Sequence, residues 1–492
     1  MAFQHPEAAA LPRFPNFIGG EAAEAGTGEL LAHIYPGTGR VSRELRMASP
    51  ADVDRAVAAA RAAFPAWRAM PGDVRRNLML KLADLLEARA ADFLIPVIGE
   101  NGTISMAAPY LPSTVAQKYR YFGGWADKIH GRTVPMWQGE THDYVSYEPF
   151  GVVGAIVPWN GPLFASSMCM APALAAGNCI VLKAPELAPY SVMKLVELIH
   201  EAGFPAGVVN LVTGGPEVGD AMVAHPDIDM IQFIGSGATA KKILSRASET
   251  LKPCGLELGG KSAVIVFDDA ELQRAAQRGL SGIVTVSGQG CVNGTRLLVQ
   301  RTVYERYLEL LANTAKHIPI GDPFESSTLV GPVISETAMN RIQGMTQRAV
   351  QSGARVVCGG ERLQGPYEGG YFLPLTVLAD VDSASELATT EVFGPVLAVT
   401  PFDTEEEAIA LANDTEFGLG AYVHTRNLGR AHRVTRELQA GQIHVNGSHE
   451  AMQPNVPFGG WKRSGHGRLG GIEGLQAFLQ PKNIWMNIAD EQ

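Results

Sequence analysis

The stretch from Gly151 to Leu182 contains no Asp, Glu, Lys or Arg, and it is long enough to span a lipid bilayer. It also contains five residues that would break a spanning helix or place polar groups in lipid, namely Pro158, Asn160, Pro162, Pro172 and Asn178. We therefore interpret it as four buried pieces: a strand over 152–157, a loop, a helix, and a second strand over 179–182. This interpretation excludes a membrane-spanning segment and predicts the start of an α/β fold.

Short apolar runs alternate with helical segments through the rest of the chain. The first predicted strands are 152–157, 179–182, 208–212, 230–234 and 263–266, with helical segments such as 191–202 between them. A second group has predicted strands at 295–300, 355–357 and 396–401 and predicted helices at 303–317, 336–352 and 404–413. This alternation is typical of doubly wound parallel sheets. Because 492 residues exceed what one hydrophobic core supports, we expect two consecutive α/β domains.

Other segments have different periodicities. Apolar side chains recur at helical spacing after Ala51 and again over 75–91, which predicts two amphipathic helices near the N-terminus. Residues 144–148 alternate in the manner of an edge strand, and residues 482–488 do so weakly. We therefore expect a few β-strands outside the two α/β domains.

Composition excludes several functional classes. The net charge of −10 and the pI near 5.7, without a cluster of Lys and Arg, argue against nucleic-acid binding. The five cysteines are scattered and lack metal-ligand spacing, which argues against a disulfide framework or a metal site and favours a reducing compartment. Residues 1–15 have no basic segment followed by an apolar segment, as a secretory signal would. We expect a soluble, cytoplasmic protein.

One cysteine lies in a setting suited to catalysis. Cys291 ends the run Gly288-Gln289-Gly290-Cys291, where the absence of bulky side chains lets a substrate approach the sulfur. Upstream, Glu257 begins the run Glu257-Leu258-Gly259-Gly260-Lys261. A carboxylate held near a thiol can deprotonate the thiol or a water molecule. The alternatives are a buried structural thiol and a carboxylate that merely ends a strand.

Four motifs together resemble the NAD(P)-dependent aldehyde dehydrogenase superfamily. They are the two runs around Cys291 and Glu257, Pro158-Trp159-Asn160, and Glu391-Val392-Phe393-Gly394-Pro395. The resemblance extends from Phe17-Ile18-Gly19-Gly20 to the run that begins at Pro457 and ends at Gly465, which is nearly the whole chain. It implies a Rossmann-like NAD-binding domain, a second α/β catalytic domain and a small β arm that joins subunits.

The resemblance assigns roles to four catalytic residues. Cys291 is the expected nucleophile and Glu257 the expected general base for hydrolysis of the thioester. The Asn160 amide and the Cys291 backbone N–H are the expected donors to the alkoxide. Lys183 is placed both in the catalytic set and among the residues that hold the cofactor.

The expected cofactor is NAD. The run Gly235-Ser236-Gly237-Ala238-Thr239-Ala240 follows a predicted strand and opens a helix, whose N–H groups could bind pyrophosphate. This pattern is weak by itself because its last position is Ala240 rather than glycine. By resemblance, Lys183 and Glu186 hold the adenosine ribose, and Glu391 and Phe393 lie at the nicotinamide ribose and ring. The full expected set is Ile156, Val157, Pro158, Trp159, Lys183, Glu186, Gly215, Gly219, Phe233, Gly235, Ser236, Leu258, Glu391 and Phe393.

The expected substrate is an apolar aldehyde. By resemblance, Gly161, Met168, Met452 and Phe458 line the approach to Cys291, and many relatives carry aromatic rings at the first two positions. Glycine leaves room there, methionine adapts to irregular apolar shapes, and none of the four is charged. These features favour aromatic, terpenoid or medium-chain aldehydes over betaine aldehyde or small acidic semialdehydes.

The resemblance also implies a domain division and an assembly. Residues 1–130 and 150–258 are expected to bind NAD, residues 259–462 to form the catalytic domain, and residues 131–149 and 463–492 to form the oligomerisation arm and tail. A homodimer or a homotetramer is expected.

Other functions remain open alongside aldehyde oxidation. A semialdehyde dehydrogenase that transfers the acyl group to coenzyme A is disfavoured because such relatives generally lack a base where this chain has Glu257. A thiol esterase or a non-catalytic binding protein could share the fold, since a fold does not determine a function.

Overall fold

The structure, a computed structural model, describes residues 3–23, 26–137, 139–447 and 453–488. Within them the chain forms three multi-stranded sheets and a two-stranded hairpin. The strands are β1 Asn16–Ile18, β2 Glu21–Ala23, β3 Leu30–Tyr35, β4 Arg40–Arg46, β5 Arg132–Val134, β6 Thr141–Pro149, β7 Val152–Ile156, β8 Cys179–Pro185, β9 Val209–Gly214, β10 Met230–Ile234, β11 Cys254–Glu257, β12 Ser262–Val266, β13 Gly294–Gln300, β14 Arg355–Cys358, β15 Thr376–Ala379, β16 Val396–Phe402, β17 Gly420–His424, β18 Gln442–Val445, β19 Gly465–His466 and β20 Leu479–Asn487.

The α-helices account for most of the remaining described residues. They are α1 Pro50–Ala69, α2 Gly72–Ala88, α3 Leu94–Asn101, α4 Leu111–Gly123, α5 Pro162–Ala176, α6 Tyr190–Ala202, α7 Pro216–Ala224, α8 Gly237–Ala247, α9 Leu272–Val284, α10 Tyr304–Ala315, α11 Glu336–Gln351, α12 Glu386–Thr389, α13 Glu405–Asn413, α14 Leu428–Glu437 and α15 Gly471–Gln476.

The first sheet has eight strands in the order β19-β11-β10-β7-β8-β9-β1-β2. Strands β7 to β11 are parallel to one another, whereas β1, β2 and β19 pair in antiparallel fashion at the two edges. The chain runs from β7 outward to β9 and then returns to the other side of β7 with β10. This reversal is the switch point at which doubly wound sheets bind ligands.

The second sheet has the order β14-β15-β16-β13-β12-β17-β18. Its neighbours are parallel except β14, which pairs with β15 in antiparallel fashion. Strands β12, β13 and β16 lie within one residue of the bounds predicted from the apolar runs. The two parallel sheets confirm the α/β fold class.

The third sheet is antiparallel and has the order β20-β6-β5. Strand β6 lies in its centre, so the prediction of an edge strand at 144–148 is wrong. The alternating pattern arises because β6 has one face packed and one face partly solvated, while β5 and β20 pair with its two sides. Strand β19 belongs to the first sheet, so the segment that pairs with β6 begins at Leu479.

Local sequence explains the principal helices. Helix α1 begins after Ser49, which forms a capping box with Asp52 and is followed by Pro50. Helix α5 is buried on nearly all sides, which explains its lack of charge, and it ends at Gly177 with φ of 95°. Helix α8 begins after Ser236, whose side chain accepts a hydrogen bond from the Thr239 backbone N–H.

The topology brings several loops together. In the first sheet β7, β8, β10 and β11 end at one edge, so residues 157–161, Glu186, Gly235 and Glu257 leave the sheet on the same side. Strand β12 begins five residues after β11 ends, and β13 begins just after Cys291. The space between the two parallel sheets is therefore bordered by the residues that the sequence singled out.

Candidate active site

A cavity of about 380 Å³ lies between the two parallel sheets. Three of the four predicted catalytic side chains line it: Cys291, Glu257 and Asn160. Lys183 does not line this cavity; it lies at the end of β8 with its ammonium 3.4 Å from the Glu186 carboxylate. The cavity is of a size suited to a small organic molecule.

The backbone around Cys291 is tightly constrained. Gly288 has φ of 75°, and a Cβ there would lie 2.1 Å from the Gly394 carbonyl oxygen. Val286 and Ser287 also have positive φ, at 50° and 53°. This conformation costs a residue other than glycine about 1–3 kcal/mol. A Cβ on Gly260 would lie 2.6 Å from the Cys291 carbonyl oxygen. The glycines on both sides therefore allow the cysteine loop to approach the loop that follows Glu257.

The Cys291 thiol is protonated at neutral pH in this environment. Burial, together with the negative charges of Glu391 and Glu257, raises its pKa to about 12. The hydrogen bonds from backbone N–H groups act in the opposite direction. Attack by this sulfur therefore requires a base or a positive charge nearby.

Glu257 is a buried carboxyl at the end of β11. Glu257 is only 3% exposed, and neither of its carboxyl oxygens has a hydrogen-bond partner among the described residues. Burial raises its pKa well above the usual range, and the positive charge of Arg468 opposes this. A carboxyl with a raised pKa can accept a proton near neutral pH, as a general base must.

Asn160 is held against the cysteine loop. Its Nδ2 donates a hydrogen bond to the Gln289 carbonyl oxygen at 2.8 Å. Gln289 is itself fixed, since its Oε1 accepts from the Ile334 backbone N–H at 2.9 Å and its Nε2 donates to the Val286 carbonyl at 3.1 Å. One Asn160 N–H is thus used to orient the side chain, and the amide has a second N–H to offer in the cavity.

The predicted cofactor residues form a group along the edge of the first sheet. Lys183 is 6% exposed, and burial lowers its pKa even though Glu186 and Glu217 act in the opposite direction. A Cβ on Gly219 would lie 3.7 Å from the Lys183 side chain, and a Cβ on Gly235 would lie 2.4 Å from the Phe233 ring. At the start of α8, Gly237 has open space where a Cβ would be. Gly219 thus lies beside the buried lysine, and the start of α8 has open space at Gly237; both features fit the binding of a nucleotide.

A second group connects this edge to the cavity. Glu391 accepts a hydrogen bond from the Gly260 N–H at 3.0 Å, and burial raises its pKa to about 7, against the effects of that hydrogen bond, Lys261 and Arg341. The Trp159 and Phe393 rings meet edge to face at 5.4 Å. Phe393 has φ of 52°. The remaining predicted cofactor residues lie nearby. Ile156, Val157 and Leu258 are buried, and Pro158 and Leu258 line the cavity. Gly215 precedes α7, and a Cβ built on it would lie 2.9 Å from the Glu217 side chain.

Three of the four predicted substrate residues belong to the same cavity. Gly161, Met168 and Phe458 line it, and no atom lies within 4 Å of a Cβ built on Gly161. Met452 lies outside the described residues. Glycine at position 161 therefore leaves open space in the cavity, where a larger side chain would occupy it.

Sequence reasoning missed much of the cavity wall. Helix α3 contributes Val97, Glu100 and Asn101, and α4 contributes Leu111 and Thr114. Glu100 accepts from the Ser191 N–H at 2.9 Å, and burial raises its pKa to about 8, so this carboxyl is neutral at pH 7. The two amphipathic helices predicted near the N-terminus correspond to α1 and α2, and the sequence analysis identified neither α3 nor α4 as a wall of the cavity.

Two further observations concern the described part of the chain. No helix in it combines the length and apolar character that crossing a bilayer requires. The five cysteines have free thiols, of which Cys169 and Cys179 are buried and Cys254, Cys291 and Cys358 partly so.

Comparison with known proteins identifies a family. The family model for the aldehyde dehydrogenase family matches residues 23–484. The chain is 40% identical over 463 residues to a (Z)-2-((N-methylformamido)methylene)-5-hydroxybutyrolactone dehydrogenase from Acinetobacter baylyi, a match that covers 93% of this chain and 94% of that relative. It is 38% identical over 483 residues to the mitochondrial aldehyde dehydrogenase of Homo sapiens, with 96% and 92% covered.

Solved structures give the same result for the fold. A putative aldehyde dehydrogenase from Burkholderia cenocepacia superimposes with a TM-score of 0.95 at 38% identity and covers 98% of each chain. Betaine aldehyde dehydrogenase from Staphylococcus aureus, solved in complex with NAD+, gives a TM-score of 0.95 at 34% identity, with 98% of this chain and 96% of that chain covered.

Proposed function

Since this chain belongs to the aldehyde dehydrogenase family, we propose that it oxidises an apolar aldehyde to its carboxylic acid with NAD as the electron acceptor. The enzyme is an oxidoreductase by its family. The observation that carries the more detailed proposal is the arrangement of Cys291, Glu257 and Asn160 around one cavity. A nucleophile, a base and an amide donor are the groups that acyl chemistry at an aldehyde needs.

The first step forms a bond between the Cys291 sulfur and the aldehyde carbon. The thiol proton passes to a base, and the carbonyl oxygen becomes an alkoxide. The second N–H of Asn160 and the Cys291 backbone N–H are the donors that would stabilise this oxygen. The hydrogen bond from Asn160 to Gln289 supports this role, because it fixes the amide before the substrate arrives.

The second half of the reaction releases the acid. When bound, NAD accepts the hydride that leaves the thiohemiacetal carbon. Glu257 then takes a proton from a water molecule, the hydroxide attacks the thioester, the C–S bond breaks, and the sulfur recovers a proton. Because Glu257 supplies a base for water, its presence supports hydrolysis over transfer to coenzyme A.

The residues along the edge of the first sheet fit NAD. Lys183 and Glu186 would hold the adenosine ribose, the N–H groups at the start of α8 would hold the pyrophosphate, and Glu391 would hold the nicotinamide ribose. The support is the buried Lys183, which lies beside Gly219, and the open space at Gly237 at the start of α8. Glu186 would oppose a 2′-phosphate on the ribose and so favour NAD over NADP.

The cavity supports a substrate with an apolar body. Gly161 leaves open space near Asn160, and Leu111, Met168 and Phe458 add apolar walls further in. Aromatic, terpenoid or medium-chain aldehydes match this shape. Short acidic semialdehydes would leave most of the wall uncovered.

The proposal also includes an organisation and a location. Residues 1–130 and 150–258 would bind NAD, residues 259–462 would form the catalytic unit, and residues 131–149 and 463–492 would join subunits into a homodimer or homotetramer. The third sheet, in which β6 pairs with β5 on one side and with β20 on the other, supports such an arm. A cytoplasmic location is supported by the five free thiols.

The test is formation of NADH, followed by absorbance, when the protein is mixed with NAD and octanal. Cys291→Ala should abolish NADH formation and leave NAD binding, measured by calorimetry, nearly unchanged, because the thiol bonds the substrate but does not hold the cofactor. A Cys358→Ala variant is the matched control and should retain activity. Substantial turnover by Cys291→Ala would contradict the mechanism, and acid formation without NAD would indicate an esterase.

A further inference from the structure

A second, smaller cavity adjoins the substrate cavity. It has a volume of about 20 Å³, the size of one or two water molecules. We name it the distal pocket, and its walls include Lys118, Met168, Gln442, Gln453, Phe458 and Leu469. Met168 and Phe458 line both cavities, so the two share a wall.

The faces of α4 and α5 show why the two cavities lie side by side. On α4, Leu111 and Thr114 line the substrate cavity and Lys118 lines the distal pocket. These residues are spaced for one face of a helix, with Lys118 one turn beyond Thr114. In helix α5, Gly161 is the N-cap residue and Met168 lies on the side that borders the substrate cavity. Lys118 therefore extends the face of α4 that borders the substrate.

Lys118 is a buried cation that has no anionic partner among the described residues. The residue is 5% exposed, and within the part of the chain that the structure describes it forms no ion pair and no hydrogen bond. Its ammonium lies 4.2 Å from the centre of the Phe164 ring, and Phe164 lines the substrate cavity. Burial lowers its pKa to about 8, so most of the population is charged at pH 7.

A lysine in this place is costly unless it is used. Removing an ammonium from water without a hydrogen-bonding partner is unfavourable, and the single cation–π contact compensates only in part. A methionine would fill the same volume without this cost. The presence of a lysine in this unfavourable place beside the substrate cavity is therefore best explained by a ligand that supplies the hydrogen-bonding partner of its ammonium.

We propose that Lys118 binds a hydrogen-bond acceptor, foremost a carboxylate, at the far end of the aldehyde substrate. This inference rests on the proposed function and refines its substrate class: an apolar body with the aldehyde at one end and an acceptor oxygen at the other. Along α5, Met168 lies seven residues after Gly161, which corresponds to a rise of about 10 Å. An extended chain advances about 1.2 Å per bond, so roughly eight bonds separate the two ends. Succinic semialdehyde is too short to reach both.

The test compares two substrates of equal length, octanal and 8-oxooctanoate, in the wild type and in Lys118→Met. We expect the wild type to prefer 8-oxooctanoate. The variant should lose at least tenfold of kcat/KM for 8-oxooctanoate, as expected for a hydrogen bond to a charged group, and should retain its kcat/KM for octanal. Lys118→Arg keeps the charge and should restore most of the preference. Lys316→Met, which removes an exposed lysine, is the control.

Three outcomes would overturn the inference. An equal change for both substrates would mean that Lys118 only supports the packing, and an unchanged ratio would mean that it binds neither substrate. Equal kcat/KM of the wild type for 8-oxooctanoate and octanal would mean that the lysine does not bind a carboxylate at this end of the substrate. Failure of the wild type to oxidise octanal as well would instead count against the proposed function.

A measurement without a variant covers the case in which Lys118→Met does not fold. Octanedioate should inhibit octanal oxidation by the wild type at a concentration at least tenfold lower than octanoate does. Equal inhibition by the two acids would overturn the inference, because octanoate has the apolar body but no acceptor for Lys118.

Discussion

At the scale of single residues, burial controls the chemistry of the cavity through protonation. The pKa of the Cys291 thiol is raised to about 12, so this thiol carries its proton at pH 7, and burial raises the pKa of Glu257 well above its usual range. The negative charge of Glu257 contributes to the shift at Cys291, because a second negative charge in a buried site is unfavourable. Attack by the Cys291 sulfur therefore requires removal of its proton.

The first prediction concerns the base. Glu257→Gln should leave a pre-steady-state burst of NADH, because acylation can proceed, and should slow the later turnover by about 10²–10⁴-fold, because no carboxylate activates the water. Stopped-flow absorbance separates the two phases. In the wild type, turnover should rise with pH through the raised pKa of Glu257, since only the ionised carboxylate accepts a proton. Loss of the burst itself would show that Glu257 acts on the thiol.

A second prediction concerns stability at the same residue. In the unfolded chain Glu257 ionises near its ordinary pKa of about 4.3, whereas in the folded protein it keeps its proton to a much higher pH. Between these values the native state holds more protons, so each pH unit lowers the free energy of unfolding by up to about 1.4 kcal/mol. Glu257→Gln removes this cost.

Thermal unfolding at several pH values measures it. The melting temperature of Glu257→Gln should match that of the wild type at pH 4 and exceed it at pH 8, with the difference growing in between. Glu217→Gln, a change on the surface of α7, is the control. A variant less stable than the wild type at pH 8 would mean that the carboxylate is ionised and stabilised by Arg468.

The resemblance of four motifs to the aldehyde dehydrogenase superfamily was enough to predict Cys291, Glu257 and Asn160 as neighbours in one site. The protonation of these groups could not be predicted, because burial depends on contacts from remote parts of the chain. Arg468, the charge that opposes the shift at Glu257, lies on the segment after β19. Lys118 was missed for the same reason: its helix is amphipathic, and only the packing against α5 reveals an ammonium beside the cavity.

At the scale of secondary-structure elements, the end of β8 connects the fold to cofactor choice. Strand β8 is buried along its whole length, and its last residues lead into Glu186 at the edge of the sheet. A charge at the end of a central parallel strand lies beside the switch point, where nucleotides bind. The identity of this one residue should therefore decide between NAD and NADP.

The third prediction tests that statement. Two unit charges about 4 Å apart at an effective dielectric near 20 interact by about 4 kcal/mol before screening. If a quarter of this repulsion remains after solvent screening, Glu186→Gln should improve kcat/KM for NADP relative to NAD by roughly fivefold. The matched control is Glu201→Gln, an exposed carboxylate on α6 paired with Arg89. Equal kcat/KM for NAD and NADP in the wild type would contradict the placement of Glu186.

Elements were predictable where the pattern of apolar residues is strong. The bounds of β10 match the predicted run at both ends, and β12, β13 and β16 lie within one residue of theirs. The short strands β1 to β4 and β19 were not predicted, because they pair at edges or in a hairpin and have no continuous apolar run. The central position of β6 was also missed, since periodicity reports which face of a strand is solvated and not how many neighbours it has.

At the scale of the whole molecule, the third sheet joins remote parts of the chain. Strand β20 pairs with β6 over all nine of its residues, from Leu479 opposite Pro149 to Asn487 opposite Thr141. Within the described residues its other edge is unpaired. Trp485 is 57% exposed and Met486 is 41% exposed beside this edge. An exposed strand edge with large apolar side chains is a surface that favours pairing with another chain.

The last prediction follows from this edge. Trp485→Lys replaces an exposed apolar side chain with a charge, so it should leave the fold of each subunit intact and weaken the proposed association. Loss of one large buried apolar side chain per subunit costs about 1.5–3 kcal/mol, so the dissociation constant of the assembly should rise at least tenfold. Sedimentation at several protein concentrations measures it. Leu428→Lys, a change at an exposed position on α14, should have no effect. If both variants keep the mass of the wild type at every concentration, β20 does not join subunits, and the assembly must use another surface.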